Sequence, residues 1–280
     1  MSKQKRILAV NDISCFGKCS LTVALPILSS CGFETTVLPT ALLSTHTGGF
    51  TGYTFLDLTG EMKKIIDHWK NLKLRFDCIY SGYLGSEEQI KITYNIIKEF
   101  KIPLIFVDPV MADNGKLYDG FSSDFPQKMK TICKIADIIT PNITEACLLT
   151  DTCYTEIHTK EWVLEIADKL SLICKKFVIT GIKLEPDSVT TIVFDNGQTD
   201  FIKNENIDGM YHGTGDVFAS SLLASILSGV DFKTSAENAI LQVCDSIIKT
   251  RKLGKNITYG VDFEECTKNL IKRIEKSDTI

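Results

Sequence analysis

Short apolar segments of β-type composition alternate along the chain with longer segments whose apolar residues recur at helical spacing. Most of the short segments are continuous apolar runs, which is typical of strands buried on both faces of a parallel sheet. Strands are predicted at Ile7–Asn11, Thr35–Leu38, Cys78–Ser81, Leu104–Asp108, Ile138–Thr140, Phe177–Thr180, Thr190–Phe194 and Asp200–Lys203. Helices are predicted at Lys18–Ser30, Leu56–Leu72, Glu87–Phe100, Pro126–Lys134, Glu161–Cys174, Asp216–Ser228, Thr234–Thr250 and Phe263–Ile274. The alternation favours right-handed βαβ units and a doubly wound, mostly parallel α/β sheet flanked by helices.

One segment departs from this alternation. Between Thr190 and Lys203, two β-type runs flank Asp195-Asn196-Gly197, which is a hairpin signal. The pattern predicts an antiparallel pair at one edge of the sheet. Because no Pro/Ser-rich linker, repeat or low-complexity run divides the chain, we expect one domain over residues 1–280.

The composition is ordinary for a soluble globular protein, with 44% hydrophobic and 24% charged residues. A net charge of −4 gives no indication of a nucleic-acid or membrane partner, and no stretch has the length of a membrane span. The apolar run that starts at Ile7 is too short for a signal peptide, so we expect a cytoplasmic protein. The ten cysteines contain no Cys-x-x-Cys pair and are expected to be reduced thiols.

Polar, acidic and glycine residues follow several of the predicted strands. In an open α/β sheet, ligands bind beyond the carboxyl ends of the strands. The segments expected at that rim are Asn11-Asp12, Ser44-Thr45-His46-Thr47-Gly48-Gly49, Ser81-Gly82-Tyr83, Asp108-Pro109 and Thr140-Pro141-Asn142. The sequence therefore predicts a ligand site along one edge of the sheet.

The segment Gly213-Thr214-Gly215-Asp216 is a glycine-rich turn at the head of a predicted helix. Such a turn gathers free backbone N–H groups at the positive end of the helix dipole and favours phosphate. An acid there is explained if Asp216 takes a proton from a hydroxyl while the amides hold a transferring phosphoryl group. In the alternative interpretation, Asp216 only complements the dipole and the glycines only make the turn.

Asp108 and Glu145 are the acids that the sequence places near a metal. Carboxylates at neighbouring strand ends suit Mg²⁺, which usually accompanies substrate phosphates. The alternative is that Asp108 caps a turn while Glu145 begins a helix. His46 and His212 lie in glycine-rich loops, where either could serve a ligand or a loop carbonyl, and Tyr83 could stack on a flat ring or fill the edge of the core.

Two common nucleotide-binding motifs are absent. Gly17-Lys18-Cys19-Ser20 lacks the glycine that a Walker-type phosphate loop requires five residues before the second glycine. No Gly-x-Gly-x-x-Gly fingerprint follows the first predicted strand, which argues against a dinucleotide-dependent oxidoreductase.

Six segments, in order along nearly the whole chain, resemble the ribokinase-like superfamily and within it the pyridoxal kinase family. They are Ile7-Leu8-Ala9-Val10-Asn11-Asp12, Ser44-Thr45-His46-Thr47-Gly48, Ser81-Gly82-Tyr83-Leu84-Gly85, Asp108-Pro109-Val110-Met111, Thr140-Pro141-Asn142-Ile143-Thr144-Glu145 and Gly213-Thr214-Gly215-Asp216. The resemblance implies a ribokinase-like fold with a minimal lid, and a homodimer. It implies ATP-dependent phosphorylation of the 5′-hydroxymethyl group of pyridoxal, pyridoxine or pyridoxamine, giving the 5′-phosphate and ADP in vitamin B6 salvage.

The resemblance also implies roles for individual residues. Asp216 would be the general base, and the amides from Gly213 through Thr214 and Gly215 to Asp216 would form the anion hole. Asp108 and Glu145 would serve Mg²⁺ and the ATP phosphates. The ring pocket would hold Asp12, His46, Thr47 and Tyr83, and the nucleotide side would add Asn142, Thr180, Gly181 and Lys183. Use of a monovalent cation is left open.

Asp12 keeps a second substrate open. Pyridoxal kinases often carry serine there, and an acid could favour a protonated ring nitrogen or pair with an amino group. The second possibility would fit a hydroxymethylpyrimidine kinase of thiamine synthesis or a dual enzyme, although that branch often has cysteine in place of Asp216. A sugar kinase and a non-catalytic metabolite-binding protein are further alternatives; the first lacks a sugar-specific acid cluster after the first strand, and an intact Asp216 argues against the second.

Overall fold

The computed structural model describes residues 4–254 and 256–277 and contains a nine-stranded sheet between two helical layers. The strands of this sheet are β1 (Arg6–Ser14), β2 (Glu34–Leu43), β3 (Phe55–Asp57), β4 (Cys78–Ser81), β5 (Leu104–Val107), β8 (Ile138–Ile139), β9 (Lys176–Glu185), β10 (Ser188–Asp195) and β11 (Gln198–Glu205). A separate hairpin pairs β6 (Ala112–Asp113) with β7 (Lys116–Leu117). The helices are α1 (Leu21–Ser30), α2 (Thr59–Asn71), α3 (Glu87–Glu99), α4 (Phe125–Cys133), α5 (Ile143–Leu149), α6 (Lys160–Leu170), α7 (Thr214–Leu227), α8 (Phe232–Leu253) and α9 (Thr267–Ser277).

The strand order is β11-β10-β9-β8-β5-β4-β1-β2-β3. The six strands from β9 to β2 in this order run parallel, whereas β10, β11 and β3 pair antiparallel with their neighbours. The predicted doubly wound, mostly parallel sheet is confirmed. The order reverses around β1, so the carboxyl ends of β1, β4 and β5 lie side by side at one rim.

Alternate residues of the central strands enter two different cores. Leu8 and Val10 pack with α2 to α6 on one face, and Ile7 packs with α1, α7, α8 and α9 on the other. Because both faces are covered, the strands read as continuous apolar runs in the sequence. The helices in the described residues are not long and apolar enough to cross a membrane.

The predicted hairpin at the β11 edge is confirmed. Asp195 pairs with Gln198 across a two-residue turn, and Asn196 and Gly197 both have positive φ angles, 49° and 101°. Such a turn matches the right-handed twist of the flanking strands. The antiparallel strand β3 at the opposite edge was not predicted.

Three predicted helices begin too early. The helix predicted from Lys18 begins at Leu21, because Ser20 has the non-helical angles φ 57° and ψ −131° and bridges to Ile13. The helix predicted from Leu56 begins at Thr59, since residues 55–57 pair with β2. The helix predicted from Phe263 begins at Thr267. The predicted single domain over 1–280 stays a prediction, and residues 1–3, 255 and 278–280 lie outside the described residues.

Candidate active site

Three acids from distant parts of the chain meet at the carboxyl rim of the sheet. Asp12 lies near the end of β1, Asp108 directly follows β5, and Asp216 lies in the first turn of α7. Asp12 and Asp108 are both within electrostatic reach of Asp216. The predicted ligand site at this rim is therefore acidic.

The turn that starts α7 is open to solvent at Gly215. Gly213 caps the helix in the left-handed conformation, with φ 77°. The next residues are the first of the helix, and their N–H groups have no acceptor within it. A Cβ placed on Gly215 would meet nothing within 4 Å. The turn thus offers an accessible place for an anion.

Asp216 is half-buried in this turn, and burial raises its pKa to about 7. The negative charge of Asp12 raises the pKa further, whereas the main-chain N–H of Ser20 and the side-chain amide of Asn11 lower it. A carboxylate with a pKa near neutral suits a general base.

Asn11 was predicted at the rim but was given no role of its own. Its buried Oδ1 accepts hydrogen bonds from the N–H groups of Asp12, at 3.0 Å, and Tyr83, at 2.8 Å. Gly82 leaves the space for it, because a Cβ there would lie 2.3 Å from the Asn11 Nδ2. Asn11 therefore ties the end of β1 to the segment after β4.

Asp12 and Tyr83 are brought together as predicted. Asp12 is buried, accepts a 3.1 Å hydrogen bond from the Ser14 hydroxyl, and has a pKa raised by burial. Burial, followed by the charge of Asp12, raises the pKa of Tyr83 to about 12. The Tyr83 ring lies 5.7 Å from that of Phe121. An acid beside an aromatic ring is compatible with the predicted pocket for a heterocycle.

Glu145 has a structural task. One carboxylate oxygen accepts from the N–H groups of Met111, at 3.0 Å, and Ala112, and the other accepts from Asn142, at 2.9 Å. The Asn142 side chain accepts in turn from the N–H of Glu145, which completes a capping box at the start of α5. The alternative interpretation, in which Glu145 begins a helix, is therefore correct, and the Glu145 carboxylate also holds the main chain at Met111 and Ala112.

The buried carboxylates of Asp108 and Glu145 repel each other. Burial and then the charge of Glu145 raise the pKa of Asp108 well above its ordinary value, while the Thr140 hydroxyl lowers it. In the described residues, no group of three or more His, Cys, Asp or Glu side chains is arranged to hold a metal. Mg²⁺ needs only one or two protein carboxylates beside waters and phosphates. The Asp108 and Glu145 oxygens fit such an ion, and its charge would relieve their repulsion.

The glycine-rich loop after β2 packs against His212, which precedes α7. His46 is buried, and its Nε2 lies 2.8 Å from the carbonyl oxygen of Thr258. Its ring lies 5.1 Å from that of His212, on which Gly48 packs so closely that a Cβ would come within 2.4 Å. Thr47 is exposed on this loop. His46 is thus held by a main-chain carbonyl, and its contact with substrate stays a prediction.

The predicted nucleotide residues lie beside the capping box. Thr180 bridges to Asn142, and Gly181 follows with a φ of 76°. Lys183 is exposed, and its main-chain N–H donates to the Nδ1 of His158 at 2.9 Å. Burial raises the pKa of Asp113 in the β6–β7 hairpin, and the charges of His212 and Lys183 partly offset this rise. Asp113 is therefore within electrostatic reach of both Lys183 and His212, which precedes α7.

The chain is similar to known kinases over most of its length. The family model described as Phosphomethylpyrimidine kinase matches residues 27–260. The chain is similar to a candidate phosphomethylpyrimidine kinase from Bacteroides thetaiotaomicron, crystallised with pyridoxal, with 37% identity, a TM-score of 0.88 and coverage of 98% and 96% of the two chains. It is also similar to the pyridoxal kinase structure from Lactobacillus plantarum, with 28% identity, a TM-score of 0.90 and coverage of 98% and 99%.

A curated relative carries the other activity in its name. The hydroxymethylpyrimidine/phosphomethylpyrimidine kinase of Aquifex aeolicus is 32% identical over 178 residues, which cover 62% of this chain and 68% of the relative. Similarity thus extends to both kinds of kinase.

Proposed function

The chain belongs to the phosphomethylpyrimidine kinase family of ribokinase-like enzymes, to which pyridoxal kinases are also related, and from this premise we propose that it transfers the γ-phosphoryl group of ATP to the 5′-hydroxymethyl group of a vitamin B6 vitamer. The observation that carries the proposal is Asp216, whose pKa of about 7 and place in an open helix turn suit a base beside an anion. The pyridoxal bound to a relative of 37% identity supports the choice of vitamer.

In the proposed reaction, Asp216 accepts the proton of the substrate hydroxyl as the oxygen attacks the phosphoryl group. The N–H groups at the start of α7 stabilise the charge on the transferring group, since phosphoryl transfer depends on positioning and electrostatics. Asp12 and Tyr83 hold the ring so that its hydroxymethyl group points to Asp216. Asn142, Thr180, Gly181 and Lys183 are proposed to line the nucleotide side, and His46 and Thr47 the loop over the substrate.

Asp108 would hold Mg²⁺ together with Glu145, both of whose carboxylate oxygens also accept main-chain hydrogen bonds. Bound there, it would neutralise phosphate charge. A homodimer remains a prediction of the resemblance, and a cytoplasmic location remains a prediction from the sequence.

The second candidate is a hydroxymethylpyrimidine kinase or a dual enzyme. Asp12 favours it, since a carboxylate can pair with the amino group of an aminopyrimidine, and so does the Aquifex relative. The test is a coupled ADP-release assay with pyridoxal, pyridoxine, pyridoxamine and hydroxymethylpyrimidine, singly and in competition. Turnover of a B6 vitamer supports the proposal, turnover of both substrates identifies a dual enzyme, and turnover of the pyrimidine alone refutes the B6 assignment.

A further inference from the structure

Both the side chain and the main chain of Lys18 are bound to the segment around Asp262. Its ammonium group forms ion pairs with Asp262 and, at 2.9 Å, with Glu264. Its main-chain N–H donates to the carbonyl oxygen of Tyr259 at 2.9 Å. The side chain is three-quarters buried and that of Asp262 almost wholly so. Lys18 therefore fastens the turn before α1 to the segment that follows α8.

The same turn lies against the start of α7, the helix that carries Asp216. The Lys18 carbonyl oxygen would lie 2.0 Å from a Cβ on Gly213 and 2.8 Å from one on Gly260. Both glycines have positive φ angles, 77° and 89°. Two backbone segments can pass the Lys18 carbonyl only because neither has a side chain.

Two residues beyond Lys18, the turn reaches the base itself. Ser20 has a φ of 57°, a conformation that L-residues other than glycine rarely adopt and that surrounding contacts must maintain. Its main-chain N–H faces the Asp216 carboxylate, and its hydroxyl faces Asp12. A displacement of the turn would therefore change the hydrogen bonding of both Asp216 and Asp12.

We propose that Lys18 is a positioning residue for phosphoryl transfer: its ion pairs with Asp262 and Glu264 hold the Gly17–Ser20 turn against Gly213, and so fix the anion-binding turn and the Ser20 N–H that faces Asp216. This inference rests on the proposed function. Lys18 does not contact substrate in this account. Lys18 acts through the backbone segment that it holds in place. This assigns a role to Lys18, which does not belong to a Walker motif.

The test compares Lys18→Met with Lys18→Arg. Loss of the anchor is expected to lower kcat by about 10- to 100-fold, as misplacement of a catalytic group does, with little change in KM. Because the Ser20 N–H lowers the pKa of Asp216, loosening the turn should move the pH of half-maximal kcat upward. Lys18→Arg should restore both quantities. The other titratable groups within electrostatic reach of Asp216 stay the same in all variants: Asp12, Cys19, Tyr80, Asp108 and Tyr118.

Two control variants distinguish a displacement of the Gly17–Ser20 turn from a change in local charge and from a loss of stability. Lys249→Met removes the ion pair with Glu265 in the same groove and should leave kcat and its pH profile unchanged. Lys18→Met combined with Asp262→Asn removes both charges of the buried ion pair and so keeps the net charge of the pair unchanged. The activity loss and the pKa shift should persist in this double variant if position is the cause.

Carboxyl NMR titration of Asp216, assigned with Asp216→Asn, gives a readout that needs no turnover. Wild-type protein that phosphorylates neither substrate refutes the proposed function, and the titration then still decides whether Lys18 holds the Ser20 N–H at Asp216. A normal kcat in Lys18→Met, an equal loss in Lys249→Met, or a lower kcat with an unchanged Asp216 pKa overturns the role of Lys18.

Discussion

The carbonyl oxygen of Lys18 lies only 2.0 Å from the point where a Cβ on Gly213 would stand, whereas a Cβ on Gly215 would meet nothing within 4 Å. The two glycines of one motif therefore have different tasks. Gly213 lets the backbone of the Lys18 turn approach the helix start. Gly215 keeps the first turn of α7 open on the side where an anion would bind.

Alanine at Gly213 should lower stability, whereas alanine at Gly215 should weaken nucleotide binding. Gly213→Ala places a side chain at a φ of 77° and against the Lys18 carbonyl, so we expect a loss of more than ~2 kcal/mol in the free energy of unfolding. Gly215→Ala should leave stability unchanged or slightly higher, because alanine is the better helix former, but should weaken nucleotide binding. Denaturant unfolding and calorimetric titration with an ATP analogue measure the two effects. Equal stability losses in both variants would contradict this division.

Replacing the proposed base tests the chemistry. Asp216→Asn keeps the shape of the side chain but cannot accept the proton, and kcat should fall by ~10²–10⁴-fold. The amides at the start of α7 are unchanged, so affinity for the nucleotide should be largely retained. Rapid-quench ADP release and nucleotide titration give the two quantities. A variant with near-normal turnover would remove Asp216 from the role of base.

The pH dependence of turnover should follow the same carboxyl group. Asp216 must be ionised to accept a proton, so kcat/KM should rise with pH through an ascending limb near the pKa of about 7. An initial-rate profile from about pH 5 to 9 at saturating Mg²⁺ measures it. A profile that is flat across neutral pH would show that another group, or a step other than proton transfer, controls the rate.

The contribution of Asp216 to stability should fall with rising pH, whereas its contribution to turnover should rise. The pKa of Asp216 is about 7 in the folded chain and near its ordinary value of 3.8 in the unfolded chain. The folded state then holds the proton more tightly, so the contribution of this group is fully present below about pH 4 and is lost as the pH rises through 7. Asp216→Asn, which cannot ionise, should therefore raise the Tm at about pH 8 and not at about pH 4. Thermal unfolding of both proteins at these pH values decides it, and a constant difference would contradict the buried charge as its cause.

The sheet and much of the site rim were predictable because they depend on local patterns. The continuous apolar run of β1 reports burial on two faces, and Asn196-Gly197 reports a turn with two positive φ angles. Asp12 and Asp108 could be assigned to one rim because parallel strands end at the same edge. None of these predictions depends on contacts between side chains that are distant in the sequence.

What the sequence left hidden depends on contacts between distant segments. Ser20 carries no signal for its positive φ, so the helix was predicted to begin too early. Asn11 looks like any polar residue at a strand end until Gly82 is seen to make room for it. Glu145 was predicted as a metal ligand from its place after a strand end, but only the structure shows that its carboxylate accepts hydrogen bonds from three main-chain N–H groups.

Asp108 and Glu145 should respond differently to substitution although both are buried acids. Asp108→Asn removes a charge that burial and Glu145 disfavour, so the Tm at neutral pH should stay the same or rise while the Mg²⁺ concentration needed for turnover increases. Glu145→Ala leaves the N–H groups of Met111, Ala112 and Asn142 without their acceptor and should cost about 2–4 kcal/mol. Thermal unfolding together with Mg²⁺ titration of ADP release measures both. A stability loss in Asp108→Asn as large as that in Glu145→Ala would contradict this prediction. It would mean that the hydrogen bonds of the Asp108 carboxylate stabilise the fold by more than its repulsion from Glu145 destabilises it.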